Sequence, residues 1–389
     1  MVMRRFASAL LIAICGADLQ FPTPAWGEAA ISCGVRLEAD GEWPTASPEE
    51  AGLDSATLCS LNEALDKSPE MNVHAVLVVR GGRLVYETYR GGRDQKWGDM
   101  RVISHGPQTE HDVRSISKSV VSLLFGIALD RKLIASIDEP VFTYFPEYAT
   151  LRTPEKDRIL LRHLLAMRSG LAWNESVPYS DPTNSEIMMF WSVEPYRFVL
   201  EQPVRHDPDE EWNYSSGNTE LLAGVLQKAT GEPLAEFARE ALFEPLGITQ
   251  FAWLHMPSGD VAASWGLRLR PRDMAKIGEL VLRKGMWNGR RVVSEAWIEE
   301  STQARPDGSY ATDWNPLYGY QWWIGNSAVG DHAISWIAGG GLGGQRIYIA
   351  PAYDLVVVIT AGLYDAPFED QDRVVKSIFD HYVLAAIRQ

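Results

Sequence analysis

Ser115-Ile116-Ser117-Lys118 is the segment of this chain best equipped for covalent chemistry. Three residues apart, Ser115 and Lys118 share one face of a helix. The continuation Ser119-Val120-Val121-Ser122-Leu123-Leu124-Phe125 is so apolar that the helix body must be buried. Burial would lower the pKa of Lys118 and leave a neutral amine able to take the proton of Ser115. The helix N-terminus adds a backbone N–H and a positive dipole where an oxyanion would form. A lone S-x-x-K pair also fits a capped helix with a surface lysine, so the reading depends on its company.

That company begins at Tyr214-Ser215-Ser216-Gly217-Asn218, just before a helical pattern. Beside a lysine cation a tyrosine's phenolate is favoured, so Tyr214 can serve as base in attack and acid toward a leaving group. The third element is Trp336-Ile337-Ala338-Gly339-Gly340-Gly341-Leu342-Gly343-Gly344-Gln345, with five glycines in the six positions from Gly339 to Gly344. Such a run lets backbone approach a ligand closely. It lacks the lysine of a phosphate loop and does not run from strand into helix, so an edge strand offering N–H groups to a carbonyl fits better.

The order S-x-x-K, Y-x-(N or S), then a Gly-rich strand resembles the serine β-lactamase and penicillin-binding-protein superfamily, and within it the class C β-lactamase-like serine hydrolases. Supporting phrases include Leu77-Val78-Val79-Arg80-Gly81-Gly82, Leu164-Leu165-Ala166-Met167-Arg168-Ser169-Gly170 and Tyr318-Gly319-Tyr320-Gln321-Trp322-Trp323. The resemblance spans roughly residues 45 to 388. It implies an α+β fold of the β-lactamase/transpeptidase type, with an antiparallel sheet flanked by terminal helices, a mostly helical region, and the active site in the cleft between. It makes Ser115 the acyl-forming nucleophile, Lys118 its proton acceptor and Tyr214 the proton shuttle to the leaving group. Gly339 falls where the second oxyanion N–H sits, beside that of Ser115.

Two departures narrow the substrate. Ser216 stands where β-lactamases carry Asn, and Trp336-Ile337-Ala338 replaces their K-T-G, whose lysine helps hold a penicillin or peptide carboxylate. The combination is similar to 6-aminohexanoate-dimer hydrolases and related esterases, which cleave linear ω-amino-acid amides and small esters. The resemblance makes Ser216 and Trp336 substrate-binding candidates, and Tyr179 a counterpart of a tyrosine that closes on substrate. A small-molecule ester or linear amide is thus the expected partner. A β-lactamase or D-alanyl-D-alanine carboxypeptidase, and a silent binding module of the same fold, are the alternatives.

The elements that must position these groups follow from periodicity. Ser47-Pro48 reads as a helix start with apolar residues recurring from Leu53 to Leu65. His74–Val79, Gly81-Gly82 and Leu84–Tyr89 read as a hairpin. Helical spacing runs through Ser115–Asp130, Arg162–Met167, Asn218–Thr230, Leu234–Leu242 and Arg272–Lys284, then strands at Gln345–Ala350 and Asp354–Thr360, then a helix over Gln371–Ile387. One domain, 28–389, is expected, with sheet from about 30–110 and 286–389 and a helical region from about 111–285.

The 389 residues carry 36 Lys plus Arg against 51 Asp plus Glu, a net charge of −15, which disfavours nucleic acid and anionic lipid as partners. Arg4-Arg5, the apolar stretch Phe6–Ala17 and Ala25-Trp26-Gly27 read as a secretory leader over 1–27. No second run is long enough to span a membrane. Export to the periplasm or beyond is therefore expected. It leaves Cys33 and Cys59 as an even pair in an oxidising setting, predicted to form a disulfide, with two unrelated thiols as the alternative. An α/β-hydrolase elbow is missing: Ala262-Ala263-Ser264-Trp265-Gly266 lacks the first glycine of G-x-S-x-G. The eight histidines are read as scattered, so no metal and no organic cofactor is expected, and His111 is a candidate to bias the charge of Lys118. The resemblance places Trp191, Trp212, Trp322, Trp323 and Trp336 in or near segments around the cleft, where an aromatic lining would favour apolar acyl or alkyl groups, with core packing as the alternative.

Overall fold

A computed structural model of the chain describes residues 31–37, 42–305, 317–329 and 332–388; the expected leader lies outside the described residues. The elements that matter for the site are, first, α1 (Ser55–Lys67), β1 (Val73–Arg80), β2 (Arg83–Tyr89), β3 (Gly92–Lys96), β4 (Asp99–Ile103), β5 (His111–Asp112) and α2 (Ile116–Asp130). After them come α3 (Ser185–Phe190), α4 (Ser216–Thr230), β6 (Leu267–Leu269) and α5 (Pro271–Leu282). The chain closes with β7 (Leu317–Tyr318), β8 (Trp323–Val329), β9 (His332–Gly341), β10 (Gln345–Ala350), β11 (Leu355–Ala361) and α6 (Phe368–Ile378).

Seven strands form one antiparallel sheet in the order β7-β8-β9-β10-β11-β1-β2, so the early hairpin pairs with the last strand through Val78 opposite Val357. The middle strands are apolar on both faces because both faces are covered. Leu77, Val79, Ile347, Ile349, Val356 and Val358 enter the core shared with α2, α4 and α5. Their neighbours Val76, Val78, Tyr348, Val357 and Ile359 enter a second core with α1 and α6. This is the period-2 alternation of a strand, read twice.

α1 begins at Ser55, with Asp54 as its cap accepting from Thr57 N at 2.8 Å. The expected start at Ser47-Pro48 is instead a turn, because the Ser47 hydroxyl and amide both bond Glu50 and close the chain locally. Cys33 and Cys59 are joined by a disulfide with Cα atoms 5.2 Å apart, which ties the short N-terminal hairpin to α1. β9 is not an edge strand: it pairs with β8 as far as Ala338 and with β10 from Ile337 to Gly341, so only its last residues leave one side open. No helix among the described residues is long and apolar enough to cross a membrane.

One expectation fails outright. The histidines do not scatter: His74 on β1, His105 after β4 and His111 on β5 stack on one another around Asp94 of β3, all buried. Spacing along the chain could not reveal this, since the group is assembled by strand pairing.

Candidate active site

Ser115 occupies the cap position of α2 and Lys118 lies one turn in. α2 is buried from Ile116 to Ala128, and its side chains hold it at the centre of the molecule: Ser119 Oγ donates to Gln321 O at 2.7 Å, and Ser117 Oγ to Arg114 O at 2.6 Å. Arg114, immediately before the serine, has a φ of 52°, a left-handed conformation disfavoured for a bulky residue. Opposite it, β9 approaches so closely that a Cβ on Gly341 would lie 2.4 Å from the Val113 carbonyl, which requires glycine there.

Lys118 is 1% exposed, and its Nζ sits 3.2 Å from Ser115 Oγ, 3.1 Å from Ser216 Oγ and 3.1 Å from the Ser264 carbonyl. The Tyr214 ring lies against it, 4.9 Å from Nζ to the centroid, and both Ser115 and Lys118 favour its phenolate form. Sequence reasoning therefore placed the serine, the lysine and the tyrosine in one contact group. It erred on charge. Burial does pull Lys118 down, but Tyr214, Glu175 and Glu186 outweigh it and hold the ammonium above its ordinary range. Burial likewise raises Tyr214, against the opposing pull of Lys118 and of the hydroxyl of Ser115. At rest the pair is an ammonium beside a neutral phenol.

The carboxylates responsible come from positions no motif singled out. Glu186, in the first turn of α3, accepts from Ser216 Oγ at 3.0 Å, and its charge holds the Tyr179 hydroxyl well above the usual phenol range. Glu175 accepts from Ser216 N and from Trp173 Nε1, and burial, then the Glu186 charge, raises it to about 7. Glu220 on α4, also pushed up to about 7 by burial, accepts from Ser264 N at 2.9 Å and Oγ at 2.8 Å, which aims the Ser264 carbonyl at Lys118. Ser264 is the serine of the incomplete elbow, and it contributes a backbone oxygen rather than a nucleophile. His111 does not face Lys118 as a charge; its Nε2 lies 3.3 Å from Thr360 Oγ1 and its ring stacks in the histidine cluster.

Above these groups opens a cleft of about 940 Å³ lined by Ser115, Tyr179, Tyr214, Trp323, Gly340 and Leu342, and it runs on to Arg346, Asp372 and Lys376 beside α6. Gly339 itself turns toward α2, where a Cβ would meet Ser119 Oγ and Ile116, so the cleft wall at this level is Ala338, Gly340, Gly341 and Leu342. Trp336 is buried with Nε1 3.1 Å from Ser327 Oγ, yet its ring reaches the cleft. Trp212, Trp323, Tyr214 and Tyr318 pack edge and face into an aromatic wall. Trp322 instead fills the main core, and Trp191 is two-thirds exposed.

A buried Ser-Lys-Tyr group at a helix N-terminus, in a cleft between an antiparallel sheet and a helical region, defines the serine β-lactamase and penicillin-binding-protein class. The Beta-lactamase family model matches residues 61–377, and the chain belongs to that family. It is 28% identical over 312 residues to the 6-aminohexanoate-dimer hydrolase of Paenarthrobacter ureafaciens, covering 73% of this chain and 71% of that one. It is 27% identical over 216 residues to esterase EstB of Burkholderia gladioli, spanning about half of each chain, 52% and 53%. Among solved structures, a Bacillus anthracis protein provisionally named a 6-aminohexanoate-dimer hydrolase superposes with a TM-score of 0.69 at 21% identity, covering 87% of this chain and 86% of that one.

Proposed function

We propose that the protein is a serine hydrolase of small esters or linear amides, of the 6-aminohexanoate-dimer-hydrolase and esterase type, working through an acyl-enzyme on Ser115. The observation that carries this reading is the buried contact of Lys118 Nζ with Ser115 Oγ at 3.2 Å, with the Tyr214 ring against the lysine at 4.9 Å from Nζ to its centroid. Loss of one proton from the coupled Lys118–Tyr214 pair creates the base. Ser115 Oγ then attacks the substrate carbonyl carbon and its proton passes to the pair, while backbone N–H groups at Ser115 and at the glycine-rich end of β9 stabilise the oxyanion. The C–O or C–N bond breaks as Tyr214 protonates the leaving group. Water attacks the Ser115 ester carbonyl and gives its proton to the pair; the acyl–Oγ bond then breaks as the pair returns that proton to Ser115 Oγ, and the acid is released.

The reading of substrate class rests on the absence of a K-T-G lysine at Trp336-Ile337-Ala338, on the aromatic wall, and on likeness to a dimer hydrolase and an esterase. The leader pattern and the Cys33–Cys59 bridge support export from the cytoplasm. Recovery of a cell-fraction product of intact mass lacking roughly the leader would be the expected sign.

The test is the intact mass of the purified protein after a fluorophosphonate probe, run beside Ser115→Ala. One adduct on the wild type and none on the variant is expected. A panel of p-nitrophenyl esters, 6-aminohexanoate dimer and nitrocefin then separates esterase, amidase and β-lactamase. No adduct on folded protein would overturn the reading and favour a silent binding module.

A further inference from the structure

We propose that His74, Asp94, His105 and His111 form a closed structural site for a divalent metal of the zinc class, clasping β1, the β3–β4 hairpin and β5 beneath the nucleophile loop. Each of the four residues is buried, and one ligand atom from each lies within 4.8 Å of every other. His74 Nδ1, His111 Nδ1, Asp94 Oδ2 and both ring nitrogens of His105 are buried without a hydrogen-bond partner. Unpaired polar atoms this deep are rare and destabilising, and here they are gathered in one cluster.

One atom each of Asp94, His111 and His74, in contrast, is supported. Asp94 Oδ1 accepts from Gln95 N at 2.8 Å and from the Tyr364 hydroxyl at 3.0 Å. His111 Nε2 meets Thr360 Oγ1 at 3.3 Å. Asn72 fixes the tautomer of His74: its Nδ2 donates to Arg93 O and Gly362 O, so its Oδ1 is the acceptor facing His74 Nε2 at 3.3 Å. His74 therefore carries its proton on Nε2 and turns a bare lone pair on Nδ1 inward. For His74, His111 and Asp94, one supported atom and one bare atom is how metal-binding residues are held by their surroundings, whereas both nitrogens of His105 are bare.

Distances separate this from a hydrogen-bonded histidine–aspartate cluster. The three histidines approach Asp94 at 3.9 Å (His74 Nδ1 to Oδ1), 3.7 Å (His105 Nε2 to Oδ2) and 3.5 Å (His111 Nδ1 to Oδ2). Charge-assisted hydrogen bonds would close to about 2.7–2.9 Å. Ligands about 2.0–2.1 Å from a tetrahedral ion stand about 3.3 Å from one another. The ligand set, three imidazoles and one carboxylate, suits zinc, and four protein ligands complete the tetrahedron, leaving no place for substrate or reactive water. His111 stands four residues before Ser115, and its neighbour Asp112 accepts from Trp97 N and from Arg268, so the clasp acts as a positioning element for the nucleophile loop.

The test uses tag-free protein purified without chelator and analysed by elemental mass spectrometry. About one zinc per chain is expected in the wild type and in Ser115→Ala, and less than a tenth of that in His105→Ala. Because His105→Ala can fail to fold, a second measurement uses wild type alone. Protein unfolded in guanidinium with chelator, disulfide intact, is refolded with Co(II), and a tetrahedral visible absorption saturating at one equivalent is expected, with a melting temperature above that of metal-free protein. Wild type that is recovered metal-free and takes up no Co(II) on refolding would overturn the proposal. Metal retained at full stoichiometry by folded His105→Ala would overturn it equally, by placing the ion elsewhere.

Discussion

Replacing Ser216 with alanine tests how the charge of Lys118 is held. The Ser216 hydroxyl accepts from Lys118 Nζ at 3.1 Å and donates to Glu186 Oε1 at 3.0 Å. It favours the ammonium directly and also links it to a carboxylate. A hydrogen bond to a charged group contributes about 1.5–3 kcal/mol, and one pKa unit corresponds to about 1.4 kcal/mol. Its loss should therefore lower the apparent pKa of the Lys118–Tyr214 pair by about 1–2 units. The active form has lost a proton, so it is the form present above that pKa. The rising limb of kcat/KM against pH must then move to lower pH in Ser216→Ala, while the plateau falls about tenfold because the amine is left with two partners. The assay is hydrolysis of a p-nitrophenyl ester, followed at a wavelength where phenol and phenolate absorb equally. A reduced plateau with an unmoved limb would mean that Ser216 only packs, and a limb moved upward would refute the assignment of Lys118 as a cation stabilised by these neighbours.

Lys118→Met should reduce kcat by about 10²–10⁴-fold, the usual worth of positioned acid–base catalysis, with an unchanged circular dichroism spectrum; unaltered kcat contradicts its role. Gly341→Ala puts a Cβ 2.4 Å from the Val113 carbonyl and 3.0 Å from Arg114 Cβ. The Val113 carbonyl is main chain and cannot yield cheaply, so a stability loss of about 1–3 kcal/mol and a fall in kcat larger than any rise in KM are expected, read by guanidinium unfolding and ester kinetics. Cys59→Ser opens a bridge between residues 26 apart in sequence, which chain entropy values at about 3 kcal/mol. The unfolding midpoint of the oxidised wild type should lie correspondingly higher, and equal midpoints would show that the N-terminal hairpin adds nothing.

What the sequence made legible was local. The apolar run after Lys118 announces a buried helix, the serine-rich turn after Tyr214 announces the start of α4, and alternation in the flanking strands announces a sheet covered on both faces. What stayed hidden depends on which segments meet in space. Ser47-Pro48 has the composition of a helix start, but Asp54 captures the Thr57 amide and begins the helix seven residues later. The pleat of β9 turns the Cβ direction of Gly339 toward Ser119 and Ile116 of α2, a placement that only the packing of β9 on α2 decides. Glu175, Glu186 and Glu220 sit in three separate segments with no common spacing, and Glu220 holds the Ala263–Ser264 segment whose carbonyl meets Lys118.

These hidden carboxylates decide the chemistry of the legible residues. Desolvation is the largest single influence on Lys118, and taken alone it predicts the neutral amine expected from the sequence. The sign reverses because Tyr214, Glu175 and Glu186 surround one cation from which water is excluded, where Coulombic attraction is strong. The same crowding raises Glu175 to about 7, so this carboxyl gains its charge as pH rises through neutrality and binds the Lys118 proton more firmly as it does so. The base is then not a property of the lysine alone but of a proton shared between Lys118 and Tyr214 under the field of two glutamates. Removing a glutamate charge, as in Glu186→Gln, should make that proton easier to lose and move the rising limb of activity in the same direction as Ser216→Ala. If both act through the single contact between Ser216 and Glu186, the double variant should move the limb little further than either change alone.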